Sequence, residues 1–252
     1  MDTTVPLPFS STRAYLLEAR YEFLRLLRTP SFSLPCLLFP PVFYLLFGVL
    51  LGGKGGPVAA QYMLAGYGVF GVIGVALFGF GVTVAMDREQ GLLTLKRAQP
   101  MPPGAYLVAK MTMALLFAAI ILALLAALAA GVAHVQLSAA QWAAWVATCL
   151  VGVLPFSALG LWLGTLVSGR GAPALINLVY LPMAFLSGLW VPLTMLPKLL
   201  QTLAPAWPAY HLAQVAQQAV GVGAGRPLGL HLAVLAAITA VFFVLARRRL
   251  VQ

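Results

Sequence analysis

The sequence predicts an all-α membrane protein that crosses the bilayer six times, and three observations predict it. The first is composition: 62% of the 252 residues are hydrophobic and 8% are charged, against roughly 45–50% and about 25% in soluble domains. So few charges cannot cover a water-facing surface. The second is the length of uncharged chain. Residues 55–86, 111–169 and 171–197 run without Asp, Glu, Lys or Arg. A spanning helix takes about 20 apolar residues, so the run 111–169 holds two. The third is that the basic residues fall in short segments between the apolar runs rather than in one patch.

The elements follow in order, within a single domain over 1–252. Residues 13–28 have helical periodicity, with Tyr15, Leu16, Ala19, Phe23, Leu26 and Leu27 on one side. Arg13, Glu18, Arg20, Glu22, Arg25 and Arg28 fill the remaining arc, although Leu17 and Leu24 interrupt it. Such a helix is expected in the membrane interface, its arginines near lipid phosphates. The first span covers 31–52 and is kinked or delayed by Pro35, Pro40 and Pro41. A glycine-rich turn at 52–57 leads to the second span, 58–86. Residues 87–98 mix charged and apolar side chains as a short amphipathic helix, stopped by Pro100, Pro102 and Pro103.

The third span is 106–130 and the fourth 142–167, joined by an uncharged connection. Residues 168–171 turn the chain, and Pro173 suits the first turn of the fifth span, 172–192. Residues 193–226 carry four glutamines and several prolines, which makes them short external helices rather than a span. The last span, 227–246, ends at Arg247-Arg248-Arg249. Six spans place twelve basic residues on the side of the termini and only Lys54, Lys198 and Arg226 opposite. That bias makes both termini cytoplasmic.

The same residues exclude several functions. A net charge of +10 spread between spans is a topology signal, not a nucleic-acid surface. The mixed-charge N-terminal stretch does not read as a cleavable signal peptide. Cys36 and Cys149 lie inside predicted spans and read as buried thiols, with no disulfide framework. No metal site is expected, because His134, His211 and His231 are far apart in sequence, near span ends. Ser157 and Ser187 have no evident base. Gly-Lys-Ser/Thr is absent, so the chain holds no ATP site of that kind. An ion-coupled carrier needs ionisable groups within its spans. The predicted core has none, only polar residues such as Asn177, so energy is expected from a partner.

Three segments in order resemble the ABC-2 permease family, the membrane subunits of type-2 ABC exporters, over nearly the whole chain. One is the arginine-ending helix Tyr15 to Arg28 running into Thr29-Pro30-Ser31-Phe32. The second is Asp87-Arg88-Glu89-Gln90-Gly91-Leu92-Leu93-Thr94-Leu95, then Pro100 and Lys110. It departs from the family pattern at Leu93, which delays the threonine, and at Ala109, where the family has glycine. The third is Phe185-Leu186-Ser187-Gly188-Leu189-Trp190-Val191-Pro192, followed by Leu196-Pro197 and Pro205 to Tyr210. Trp207-Pro208 stands where the family has asparagine-proline.

The resemblance implies a permease subunit without ATPase activity of its own, in a bacterial plasma membrane. ATP and Mg would be bound by a cytoplasmic ATPase subunit present in two copies, beside a second copy of this chain. Residues 87–98 would be the coupling helix, with Asp87 through Leu95, Lys96 and Arg97 meeting the ATPase. Spans one, two and five would border the pathway, which brings in Phe43, Tyr44, Phe47, Asn177 and Phe185. The cargo would be a hydrophobic or amphiphilic drug or lipid, or a lipid-linked glycan or polysaccharide. The alternative is a non-transporting membrane scaffold or assembly factor, which would share the topology but lack substrate-stimulated ATPase activity in its complex.

Overall fold

In a computed structural model, residues 11–50, 56–98, 102, 104–223 and 227–251 are described, and every regular element among them is helical. Helix α1 (Ser11–Leu27) precedes α2 (Pro30–Phe43), which continues as a π-helical turn, Tyr44–Leu50. Pro30 occupies the first turn of α2, where its missing N–H costs nothing. Pro35, Pro40 and Pro41 lie inside α2, and Pro40 and Pro41 each remove a backbone donor where the helix passes into its wider π turn.

The second span is one continuous rod in three parts: α3 (Gly56–Leu77), a π turn (Phe78–Val82) and α4 (Thr83–Glu89). It forms the centre of the molecule, because its glycines let neighbours approach its backbone. A methyl added at Gly66 would stand 2.5 Å from the Leu189 carbonyl oxygen, and one at Gly74 2.8 Å from the Tyr180 hydroxyl. Gly164 of α8 lies against the Gly81 carbonyl, where a side chain would collide with backbone.

Helix α5 (Leu92–Ala98) is followed by α6 (Ala105–Gly131). A capping box at Ser138 and Gln141 starts α7 (Ala139–Val151), which bends at Gly152 into α8 (Val153–Gly164). Then come α9 (Ala172–Leu186), α10 (Lys198–Leu203), α11 (Pro208–Ala219) and α12 (Leu228–Val251). Helix α12 pairs His231 with α11 at one end and Trp162 with Phe242 further along, so Arg247–Arg249 reach the end where α5 lies.

Among the described residues, five helical stretches are long and apolar enough to cross a membrane: 30–50, 56–89, 105–131, 139–164 and 228–250. The expected fifth span differs. Its helix stops at Leu186, because Gly188 turns the chain with φ +76°. Fifteen residues give a rod of about 22 Å. Residues 193–223 form short helices, as their prolines and glutamines suggest, and α11 is buried along most of its length.

Two other expectations need correction. The segment 87–98 is not one helix: Asp87 to Glu89 complete the second span, the chain turns at Gly91 (φ +71°), and α5 starts at Leu92. Nor are the spans free of charge, because Asp87 lies in the stretch 56–89 and Lys110 in 105–131. Lys54, Pro100, Arg226 and the side chain of Arg97 lie outside the described residues.

Candidate functional site

The charged end of the molecule is organised around Lys110. It sits on the second turn of α6 and is fully buried, an arrangement that a lone ammonium would not survive. Its Nζ lies 2.8 Å from Glu22 Oε1 and 3.0 Å from Asp87 Oδ2. It also donates to Thr83 Oγ1 at 2.6 Å, and the Thr83 hydroxyl donates to the Gly79 carbonyl in the π turn above. Arg25 completes the set, donating from Nη1 to Asp87 Oδ1 (3.0 Å) and from Nη2 to Glu22 Oε1 (2.8 Å). The Tyr106 hydroxyl donates to Asp87 Oδ2 at 2.8 Å.

Two acids and two bases therefore cancel, and every carboxylate is both paired and hydrogen-bonded. This is the condition under which buried charges are tolerated. Burial opposes the Arg25 charge, but the Asp87 and Glu22 carboxylates outweigh it and hold the guanidinium above its ordinary value.

The cluster ties three elements together: α1 through Glu22 and Arg25, the second span through Thr83 and Asp87, and α6 through Tyr106 and Lys110. Helix α5 joins from the side. Lys96 pairs with Glu18 of α1, and its ammonium stands 5.0 Å from the Tyr106 ring centre. Arg88 donates to the Gly164 carbonyl at 3.0 Å, fastening the end of the second span to α8.

A groove of about 840 Å³ rises from this cluster between the first span, the second span and α9. Arg25, Thr83 and Asp87 border it at the charged end, while Phe43, Phe70, Tyr180 and Trp190 border it further away. The aromatic wall is held by its own contacts. Tyr180 stacks on Phe70 with ring centres 4.9 Å apart and donates to the Phe70 carbonyl at 2.9 Å. Trp190 meets Phe70 edge-on at 5.6 Å and Phe43 at 6.2 Å.

These features coincide with what comparison finds. A family model described as ABC-2 type transporter matches residues 14–220, from the first turn of α1 to the end of α11. The chain belongs to the ABC-2 type transporter family. It is also 27% identical over 228 residues to the protein named "Putative transport permease YvfS" of Bacillus subtilis (strain 168), covering 90% of this chain and 92% of that one. The helical architecture and the family together make this a multi-pass membrane permease of the ABC transporter type.

The permease places its sequence-predicted residues unevenly. Phe43 and Asn177 border the groove. Tyr44 is fully buried behind it, its hydroxyl directed at the Ala60 carbonyl 3.4 Å away. Phe47 and Phe185 are not among the groove's bordering residues; each is partly exposed, Phe47 meeting Phe43 and Phe185 meeting Trp190. Arg88, Glu89, Gln90, Gly91, Thr94 and Leu95 are exposed, Leu92, Leu93 and Lys96 half-buried, and Asp87 is interior.

Helix α1 is turned relative to the expected face. It buries Glu22 and Leu26 and exposes Leu16 and Tyr21, because two acids inside neutralise Lys110 and Lys96. The sequence names Lys110 only as the end of a motif and does not bring it together with Thr83 and Tyr106. Their signal was present as a lysine within an apolar helix with acids available elsewhere. His211 and His231, distant in sequence, meet with Nδ1 atoms 3.0 Å apart. The Pro205 carbonyl accepts from His211 Nε2 at 2.9 Å, so in the neutral pair His211 Nδ1 is the acceptor and His231 Nδ1 donates to it.

Proposed function

We propose that this permease is the membrane subunit of an ATP-driven exporter, assembled as two copies with two copies of a separate cytoplasmic ATPase that binds ATP and Mg. The observation that carries the reading is the groove whose charged floor is continuous with the exposed segment 88–95. A displacement of α5 by a partner is passed to α1 through Glu18 and to the second span through Gly91, and both border the groove.

Arg88, Glu89, Gln90, Gly91, Thr94 and Leu95 are the surface offered to the ATPase, and Asp87 anchors the root of that surface from inside. Helix α9 with residues 187–192 acts as the fifth of six spans, both termini are cytoplasmic, and α1 lies in the interface of the plasma membrane. The groove is bordered mainly by aliphatic and aromatic side chains, which supports a hydrophobic or amphiphilic cargo ahead of a hydrated glycan.

Co-expression with the ATPase tests this. Gly91→Pro removes the positive φ that the turn uses, and Glu89→Arg inverts an exposed charge. Each is expected to uncouple ATP hydrolysis from transport while leaving membrane insertion intact. Unchanged transport in both variants would remove the coupling role. Transport by the purified chain without any ATPase would overturn the exporter reading itself.

A further inference from the structure

The acids of α1 face inward, and this leaves its outer face uniformly cationic. Glu18 and Glu22 point to Lys96 and Lys110, and Arg25 turns inward with them. At 3.6 residues per turn, Arg13, Arg20 and Arg28 share one arc of about 140° with Leu16, Leu17, Tyr21, Leu24 and Leu27. No acid lies on that arc. Leu16 is 67% and Tyr21 64% exposed, and Arg20 and Arg28 are exposed as well. The face is thus apolar and basic at once, the combination that seats a helix among acyl chains and phosphates.

Its depth points the same way. Phe23 packs edge-on against Phe117 with ring centres 5.3 Å apart, and Phe32 does so at 5.4 Å. Phe117 lies about 18 Å along α6 from its first residue. The last turns of α1 therefore run beside the apolar part of a spanning helix, well inside the charged end. Exposed Leu116 of α6 stands beside Phe117 at the same level.

We infer that the outer face of α1 is a binding surface for anionic phospholipid, with Arg20 and Arg28 taking the headgroup phosphates and Leu16, Tyr21 and Leu27 the upper acyl chains. This rests on the interfacial position proposed for α1 and adds selectivity for charge. Basic residues at such a surface attract anionic headgroups over zwitterionic ones. Because Glu18 on the opposite face holds Lys96 of α5, lipid that immobilises α1 also steadies the helix offered to the ATPase.

The test uses the full chain with Cys36→Ala and Cys149→Ala and a nitroxide at Tyr21→Cys. It is reconstituted in vesicles of phosphatidylcholine alone or with phosphatidylglycerol added. The expected result is a label reached by oxygen in both membranes. Phosphatidylglycerol should bring a severalfold loss of access to an aqueous nickel quencher, abolished in R20Q/R28Q. Identical access in the two membranes overturns the charge selectivity and leaves the interfacial position standing. A label open to the aqueous quencher in both overturns both. Protection produced by soluble glycerol phosphate in neutral vesicles, or only by the ATPase subunit, also overturns the lipid assignment.

Discussion

The two ends of the second span are held in opposite ways. At the charged end, Thr83 and Asp87 are fixed by Lys110, Arg25 and Tyr106, in a network that includes a fully buried ammonium. At the other end there are no buried charges among the described residues. Gly66 lies against the Leu189 backbone, and tyrosine hydroxyls reach carbonyls: Tyr62 to Gly188 at 3.2 Å and Tyr67 to Trp190 at 3.5 Å. The ion network allows one geometry, because each displaced charge would be left uncompensated. Packing and neutral hydrogen bonds can be exchanged at smaller cost. The coupling proposed above, with force received at the charged end and cargo moved past the other, would use both kinds of fastening.

Replacing Lys110 should break this comparison hardest. Lys110→Met leaves Glu22 and Asp87 with only Arg25 between them and should cost about 3–5 kcal/mol, read as a large fall in Tm of the detergent-purified protein. Adding Glu22→Gln to that variant should recover part of the loss. A Lys110→Met protein as stable as the parent would show that the cluster is not what fixes the charged end.

At the opposite end Gly66→Ala should cost about 1–3 kcal/mol, because the methyl meets backbone rather than a flexible side chain. Tyr62→Phe removes one neutral hydrogen bond and should cost about 0.5–1.5 kcal/mol by the same measurement. The smallest effect is expected at Glu18. Its pair with Lys96 is about one-fifth exposed on each side, so Glu18→Gln should change stability by about 0–1 kcal/mol. Any larger consequence should appear in coupling to ATP hydrolysis. If Gly66→Ala proved costlier than Lys110→Met, the ranking of the two ends would reverse.

Much of the fold was legible because its causes are local. Runs of apolar residues mark the spans, and prolines and glutamines mark 193–223 as short helices. Gly91 and Gly188 fall inside an expected helix and an expected span, and only the backbone shows the positive φ that turns the chain at each. The groove was legible only through Phe43 and Asn177. Tyr44 and Phe47 lie one and four residues after Phe43, yet one is buried behind the wall and the other stands to its side. Which way each side chain points depends on the π turn from Tyr44 to Leu50. That turn shifts the helical register and leaves no clear mark in the residues themselves.

The sequence by itself determined that this chain is helical, enters a membrane several times, and carries a mixed-charge segment after its second span. Hydropathy and chain length are sums over neighbours, and they survive without any knowledge of packing. Only the tertiary structure decided that Glu22, Arg25, Asp87 and Lys110, separated by up to 88 residues, form one neutral cluster. It also decided that α1 turns its acids inward and its arginines outward. A helical wheel ranks faces by hydrophobicity, and here a buried lysine on another helix outweighs that ranking, because an unpaired ammonium in an apolar interior costs more than several exposed leucines.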